Sequence, residues 1–490
     1  MTEDMSGAPV APKPEPVSIR CGVVLFDDEK DPRAGWIAVN GSKSKRISGI
    51  NELPTGTIWL SNMSYESFFR STDTWRNPWI RHESYLVVKI KDMLLEWGYD
   101  PANSPADFTA NFCSIVFHRI MTIAARLLRE QEPTLRMTNA FMGTTLREDL
   151  RRLLPKADYP KGEAAAILRS GQAFAEFTST TVRGQRGARQ VVLRAPRMAY
   201  AADMLTVPVP KGGFDFVSRS QLRERPEVGR DRVSWVQGCD KPLLIEVQVD
   251  QMDPDVSAVY GFGNATDRDK RVPRSWVAHP EFLTMSAFSE MDVKNVYMGT
   301  EYGVMGNELG DPVKRFLSDR FSETSWSAGV VAETLWRAAA LGEDKSTAGK
   351  KTPPEERPHT SWRGVWVKAA DKCAMFMSAM KLARMGYDIS SYGLGWVIVR
   401  AADDAVGDLI RDGLTIGLVP RFADVPDNLF KANSDIPWQG DKRAKSTARF
   451  TMTKERNLLW NLDKLVLFER EQQEGMLRKM LLSMKAGSPG

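Results

Sequence analysis

The sequence predicts an α+β fold, because strand-like and helix-like stretches come in blocks. Three observations carry this. SIRCGVVLF, GWIAV and TIWL read as short strands between polar turns, an antiparallel start. Residues 83–178 then place their apolar side chains mostly at helical intervals. Two later runs, PLLIEVQVD (242–250) and GWVIVRAADD (395–404), are apolar strands that end in acids.

Composition narrows the class. A chain of 490 residues is long enough for two or three domains with substantial cores. Apolar residues at 42% and charged residues at 26% are ordinary globular values, which excludes wholesale disorder. Lys and Arg number 67 against 62 Asp and Glu, a modest +5, but the basic residues are locally clustered and suit a polyanionic partner. Cys21, Cys113, Cys239 and Cys373 lie far apart, so neither a zinc site nor a disulfide framework is expected. His82, His118, His279 and His359 are equally scattered. The start, MTEDMSGAPVAPKPEP, has no apolar core of a signal peptide, and no apolar run reaches the length of a membrane span. The expectation is a cytoplasmic chain with no membrane partner.

Residues 1–17 read as a disordered tail, from their proline and small-residue content. At the end of the first strand, Phe26, Asp27, Asp28 and Glu29 contain Asp-x-Glu, the way proofreading exonucleases present two metal-binding carboxylates; a solvated turn is the plainer reading. Helices are expected over 83–98, with a terminal Gly98, and over 104–131. The latter opens with Ser104 and Pro105 and carries Phe108, Phe112, Ile115, Ile120 and Ile123 on one face. Two more are expected over 144–154 and 161–178. TTVRGQRGARQVVLRAPR then sets Arg183, Arg186, Arg189, Arg194 and Arg197 among glycines, a strip that can approach phosphates closely; a basic solvated hairpin is the alternative. Residues 218–232 form a mixed-charge loop. Residues 327–341 read as a helix, 342–360 as an exposed loop, and 454–485 as a helical tail. There is no internal repeat.

The stretch VKNVYMGTEYGVMG (293–306) sets Lys294, Met298 and Tyr302 at i, i+4 and i+8 and follows them with Gly303. On a helix these share one face. Lys suits a phosphate, Met the underside of a sugar and Tyr the side of a base, so this face is a candidate nucleotide-binding site. The plain alternative is an amphipathic helix capped by Gly303.

The order Lys, three residues, Met, three residues, Tyr-Gly resembles the fingers-helix motif shared by family A DNA polymerases and single-subunit, bacteriophage-type RNA polymerases. The resemblance implies a right-hand polymerase with an antiparallel-sheet palm, helical fingers and a mostly helical N-terminal region. It implies two palm acids that hold Mg2+: Asp250 before the motif and Asp403 after it, with Asp404 beside the second. In that scheme one magnesium ion activates a 3′-hydroxyl and the other stabilises the leaving pyrophosphate. Asp250, Asp403, Lys294 and Tyr302 are then the catalytic set. Lys294, Met298, Tyr302, Gly303 and Asp255 bind the nucleotide, and Arg183, Arg186, Arg189 and Arg194 contact the template. Residues 368–388 resemble the palm helix that precedes the last catalytic motif.

The implied division is a mainly helical domain at 18–180 and a template-contacting segment at 181–240. Palm at 241–270, fingers at 271–360, and palm with C-terminal helices at 361–490 complete it. Three positions depart from the family pattern: Glu290 stands where Arg is usual, Ala402 where His is usual, and Gln185 where the template motif, begun by Thr181, Val182, Arg183 and Gly184, has Arg. The resulting expectation is a phage-type DNA-dependent RNA polymerase in a bacterial cell. Its partners would be a DNA template, nucleoside triphosphates and a second polymerase subunit or single-stranded DNA-binding protein. A family A-like DNA polymerase and a non-catalytic nucleic-acid-binding protein on a degenerate palm are the alternatives.

Overall fold

The computed structural model describes residues 20–54, 57–62, 86–87, 106–129, 142–169, 188–229, 231–259, 275–318, 326–341, 361–420 and 424. The chain opens with β1 (Cys21–Asp28), β2 (Asp31–Val39), β3 (Lys45–Ile47), β4 (Ile58–Ser61) and β5 (Leu86–Val87). Helices α1 (Ala106–Arg129), α2 (Met142–Arg151) and α3 (Gly162–Arg169) follow, then β6 (Arg189–Arg194), α4 (Arg197–Thr206) and β7 (Pro208–Val217). Two short helices, α5 (Arg219–Glu224) and α6 (Arg232–Gly238), lead to β8 (Leu243–Met252), α7 (Pro254–Val259), β9 (Ser275–Ala278) and α8 (His279–Met285). Next come β10 (Ser289–Val304), α9 (Met305–Glu308), α10 (Asp311–Ser318), α11 (Trp326–Ala340) and α12 (Trp362–Arg384). The described part closes with β11 (Asp388–Gly393), β12 (Trp396–Ala401), α13 (Val406–Thr415) and β13 (Val419–Pro420). This mixture is the α+β class expected from the sequence.

The strands form three sheets. The first has the order β3-β2-β1-β4-β5, with β1 antiparallel to β2 and parallel to β4. Its central strand reads CGVVLF without polar interruption because both faces are covered. Val23 and Leu25 join the main core, while Val24 and Phe26 join Ile37, Ile47 and Trp59 in a separate cluster on the opposite face. Helix α1 packs against β1 and β2. Its stretch Thr109–Leu128 is long and apolar enough to span a membrane, yet 67% of the most apolar window is buried inside this protein.

The second sheet, β7-β10-β8-β9, and the third, β11-β12-β6-β13, are antiparallel throughout. Helix α12 packs against β7 and β9 of the second and β11 and β12 of the third. It starts at Ser361, whose hydroxyl accepts from the Gly364 amide, and buries Trp362, Trp366 and Phe376. Side chains of this size contribute about 1.5–3 kcal/mol each when fully buried.

Asp371, buried on α12, fixes the turn between β11 and β12. Its carboxylate accepts from the Tyr200 hydroxyl at 2.7 Å, the Leu394 amide at 2.5 Å and the Gly395 amide at 2.7 Å. That turn needs anchoring, because Gly393, Leu394 and Gly395 all have positive φ and Leu394 is not a residue that favours it. Nearby, buried Arg197 donates to Glu333 at 2.6 Å and Arg337 pairs with the same carboxylate at 2.5 Å. Burial works against ionised Glu333, but Arg337, Arg197 and Arg194 outweigh it and hold its pKa well below the usual range.

Two stretches expected to be helical contain strands. Residues 289–304, read as a helix in the fingers, form the longest strand, β10. Spacings of four and eight satisfy a period of two as well as one of 3.6, and Val293, Val296, Tyr297, Gly299, Tyr302 and Gly303 disfavour helix while suiting a half-buried sheet. Leu86 and Val87, expected in a helix, pair as β5 beside β4; the rest of 83–98 lies outside the described residues. The expected helices at 104–131, 144–154, 161–178, 327–341 and 368–388 appear in the described residues as α1, α2, α3, α11 and α12.

Burial, opposed by the hydrogen bonds from Tyr200 and the turn amides, raises the Asp371 pKa to about 6 from 3.8. A carboxyl raised on folding stabilises the protein below its unfolded pKa, and that contribution is lost as pH rises through the folded one. Urea unfolding between pH 4 and 7 should therefore show up to about 3 kcal/mol of stability draining away toward pH 6. This component should vanish in Asp371→Asn.

Candidate nucleic-acid interface

The site grows from a carboxylate on β10. Asp292 accepts from Lys294 Nζ at 2.5 Å, from Arg219 Nη2 at 3.0 Å and from Arg232 Nη2. Burial works to raise the Asp292 pKa, but Lys294, Arg232 and Arg219 together hold it below the usual carboxylate range. Three cations meet one acid. Glu246 lies alongside, accepting the Asn295 side-chain amide, and even with it the cations remain in excess.

Each arginine is delivered by the cap of a short helix. Ser218 and Gln221 form a capping box at the start of α5, which makes Arg219 its first residue; the Arg219 amide also donates to Asn295 Oδ1 at 3.0 Å. Asp231 accepts from the amides of Val233 and Ser234, which makes Arg232 the first residue of α6. Arg219 remains 40% exposed along its side chain, against 16% for Arg232 and 15% for Lys294. Its Nε is buried without a hydrogen-bond partner. Arg219 is therefore the most exposed of the three cations that hold the carboxylate.

The other residues of the Lys294 row have separate surroundings. Tyr302 has its hydroxyl 2.9 Å from His279 Nδ1, and His279 Nε2 lies 2.8 Å from the Val236 carbonyl. Burial depresses the His279 pKa and favours the neutral ring. A neutral ring must donate from Nε2 to the carbonyl, so Nδ1 accepts from Tyr302. Burial raises that phenol to about 12, and its proton stays in this chain of bonds. Met298 packs against the main core, and Gly303 lies against the Lys211 stem.

Asp250 is exposed near the end of β8, with the Gln248 amide at 3.3 Å, and Asp255 is exposed in the first turn of α7. Asp403 and Asp404 follow β12 in the third sheet, both exposed, and Asp403 lies 3.4 Å from Arg189 Nε. Asp250 and Asp403 thus stand on different sheets. Among the described residues no group of three His, Cys, Asp or Glu side chains is arranged to hold a metal ion. Arg189 also donates to the Asp424 carbonyl at 3.0 Å. Arg194 is buried and acts on Glu333, so it is turned away from a nucleic-acid surface. Arg183 and Arg186 lie outside the described residues. Asp27 of the Asp-x-Glu pair is held by Arg46, both about half exposed. Cys21 lies 3.5 Å from His118, but burial pushes its thiol up to about 12 and leaves it protonated.

The sequence reading found Lys294 but not its companions. Arg219 and Arg232 lie more than sixty residues upstream, in a segment read only as a mixed-charge loop. The signal that was available is Ser218 with Gln221 three residues on, a helix start that puts Arg219 at a defined place.

No family model matches this chain, and no curated protein matches it. Among solved structures, it is similar to Phi29 DNA polymerase complexed with primer-template DNA and incoming nucleotide substrates. That match has a TM-score of 0.39 and 9% identity, over 80% of this chain and 82% of the polymerase. The post-translocation binary complex of Phi29 DNA polymerase with primer-template DNA matches at a TM-score of 0.42 and 9% identity, with the same coverage. A likeness this distant fixes neither residue roles nor chemistry.

Removing the carboxylate should leave Lys294 and Arg232 uncompensated in a largely desolvated place. Asp292→Ala is expected to cost about 1–3 kcal/mol, less than a fully buried pair because Asp292 is partly exposed. Inorganic phosphate should restore part of the loss by replacing the missing anion. Chemical unfolding of the variant with and without phosphate, at matched ionic strength, checks this.

Proposed function

We propose that this chain is a polymerase-like DNA-binding protein. The observation that supports it most is the convergence of Arg219, Arg232 and Lys294 on Asp292, an excess of cations of which one, Arg219, is partly exposed. Such a cluster neutralises backbone phosphate and gives affinity without demanding sequence. DNA is chosen because both polymerase families that the sequence resembles copy DNA templates. Nothing in the site favours ribonucleotides over deoxyribonucleotides, so the RNA polymerase expectation has no separate support.

The full-length protein should bind labelled duplex DNA in anisotropy titrations, with log affinity falling linearly against log salt. Arg219→Ala should flatten that slope by roughly one phosphate contact, about 0.9. Primer-extension reactions with magnesium and either nucleotide set test whether the chain also synthesises. Extension that Asp250→Ala and Asp403→Ala each abolish would establish a polymerase instead, and the nucleotide set it accepts would name which kind.

A further inference from the structure

The end of β7, just before α5, carries an aromatic ring close in sequence to the cations. Val217 faces the core, and Phe216 turns the other way with 46% of its surface exposed. Phe216 is the terminal ring of a row: its centroid lies 5.1 Å from Tyr297, and Tyr297 lies 5.3 Å from Trp276. Tyr297 and Trp276 are buried, and the Tyr297 hydroxyl is 3.3 Å from Glu163 of α3. Phe216 is thus supported from beneath by rings that have little room to move.

The strand register places this ring relative to the charges. Phe216 pairs with Tyr297 and Val217 with Val296 across the β7–β10 ladder. Continuing the same way, Arg219 reaches Asn295 and Asp292. Arg219 is three residue steps beyond Phe216, about 10 Å along an extended chain at roughly 3.3 Å per residue. Along β7, exposed Gly212, Gly213 and Asp215 precede Phe216, and the other ring there, Phe214, is stacked on Trp362. A protein-docking face would show a wider apolar patch.

An exposed, braced ring next to excess cations is what an unpaired nucleotide requires, because it offers one base face and one phosphate. In a duplex each base is stacked on its neighbours and offers no free face along the helix. The geometry points to a binding site for single-stranded nucleic acid, with a base stacked on Phe216 and the adjoining phosphate held by Arg219, backed by Arg232 and Lys294. This rests on the DNA-binding reading and specifies the form of nucleic acid that the same cations receive.

The test uses the full chain, labelled oligothymidylate and a duplex of equal length in matched salt. Oligothymidylate should bind about tenfold or more tightly than the duplex. Phe216→Ala should weaken the single strand by about 5- to 100-fold, the range for losing one stacked base. It should leave the duplex affinity and both salt slopes unchanged. Arg219→Ala should weaken both ligands and flatten both slopes. Thermal unfolding should be nearly unchanged in Phe216→Ala, since the side chain is half exposed. Equal affinity for the two ligands with a neutral Phe216→Ala, while salt-dependent binding persists, overturns the single-strand assignment alone. Absence of binding to either ligand overturns the DNA-binding reading with it.

Discussion

Much of this structure depends on buried carboxylates that are fully engaged. Asp371 sits where α12, α4 and the β11–β12 turn meet, and it collects one hydroxyl and two amides. An ionised group in such a place is tolerated only when its oxygens are saturated, because the surroundings supply no water. Glu333 meets the same demand with arginines. The Asp371 ties fix α12 against α4 and the β11–β12 turn, the Glu333 ties fix α11 against α4, and through α12 the second and third sheets share one hydrophobic core.

The contrast with Asp292 is informative. At Asp371 and Glu333 the acid is matched by donors that its neighbours cannot spare, and Arg194 and Arg197 are engaged there. At Asp292 the match is uneven, with more cations than the local acids require and one of them, Arg219, still partly in solvent. Interior pairs of this kind give rigidity at a desolvation cost. A partly exposed surplus serves an anion from outside. The two arrangements use the same residue types, so the ratio of charges and the access of solvent decide between them.

The sequence made the element types legible wherever one period dominated. The apolar strand ending at Asp250, the strand before Asp403 and the helices α1, α11 and α12 could all be read from apolar spacing and caps. It failed at Lys294, Met298 and Tyr302, where a spacing of four is common to helix and strand. It also misled at Arg194, because nothing local distinguishes an arginine bound for a buried Glu333 from one bound for solvent. The companions of Lys294 were hidden for a different reason: a cluster assembled from β10, α5 and α6 depends on the sheet's register, and register is not written in any single segment.

That register explains why the cations meet at all. Val293 and Val296 both bury completely in the main core, although an odd spacing of three puts alternate faces inward on a regular strand. The strand resolves this with a bulge: Val293 pairs with Val247 and Val296 with Ile245, so Lys294 and Asn295 together oppose Glu246. Asp292 and Lys294 share one side of Val293, as residues two apart on a strand do, and the extra residue lets Asn295 tie down the start of α5 and Tyr297 come round to support Phe216. A regular strand would have had to expose one valine or separate these groups. The pattern Val-Lys-Asn-Val, which fits neither a clean helix face nor a clean strand face, is therefore the local feature from which the cationic cluster and its aromatic neighbour both follow.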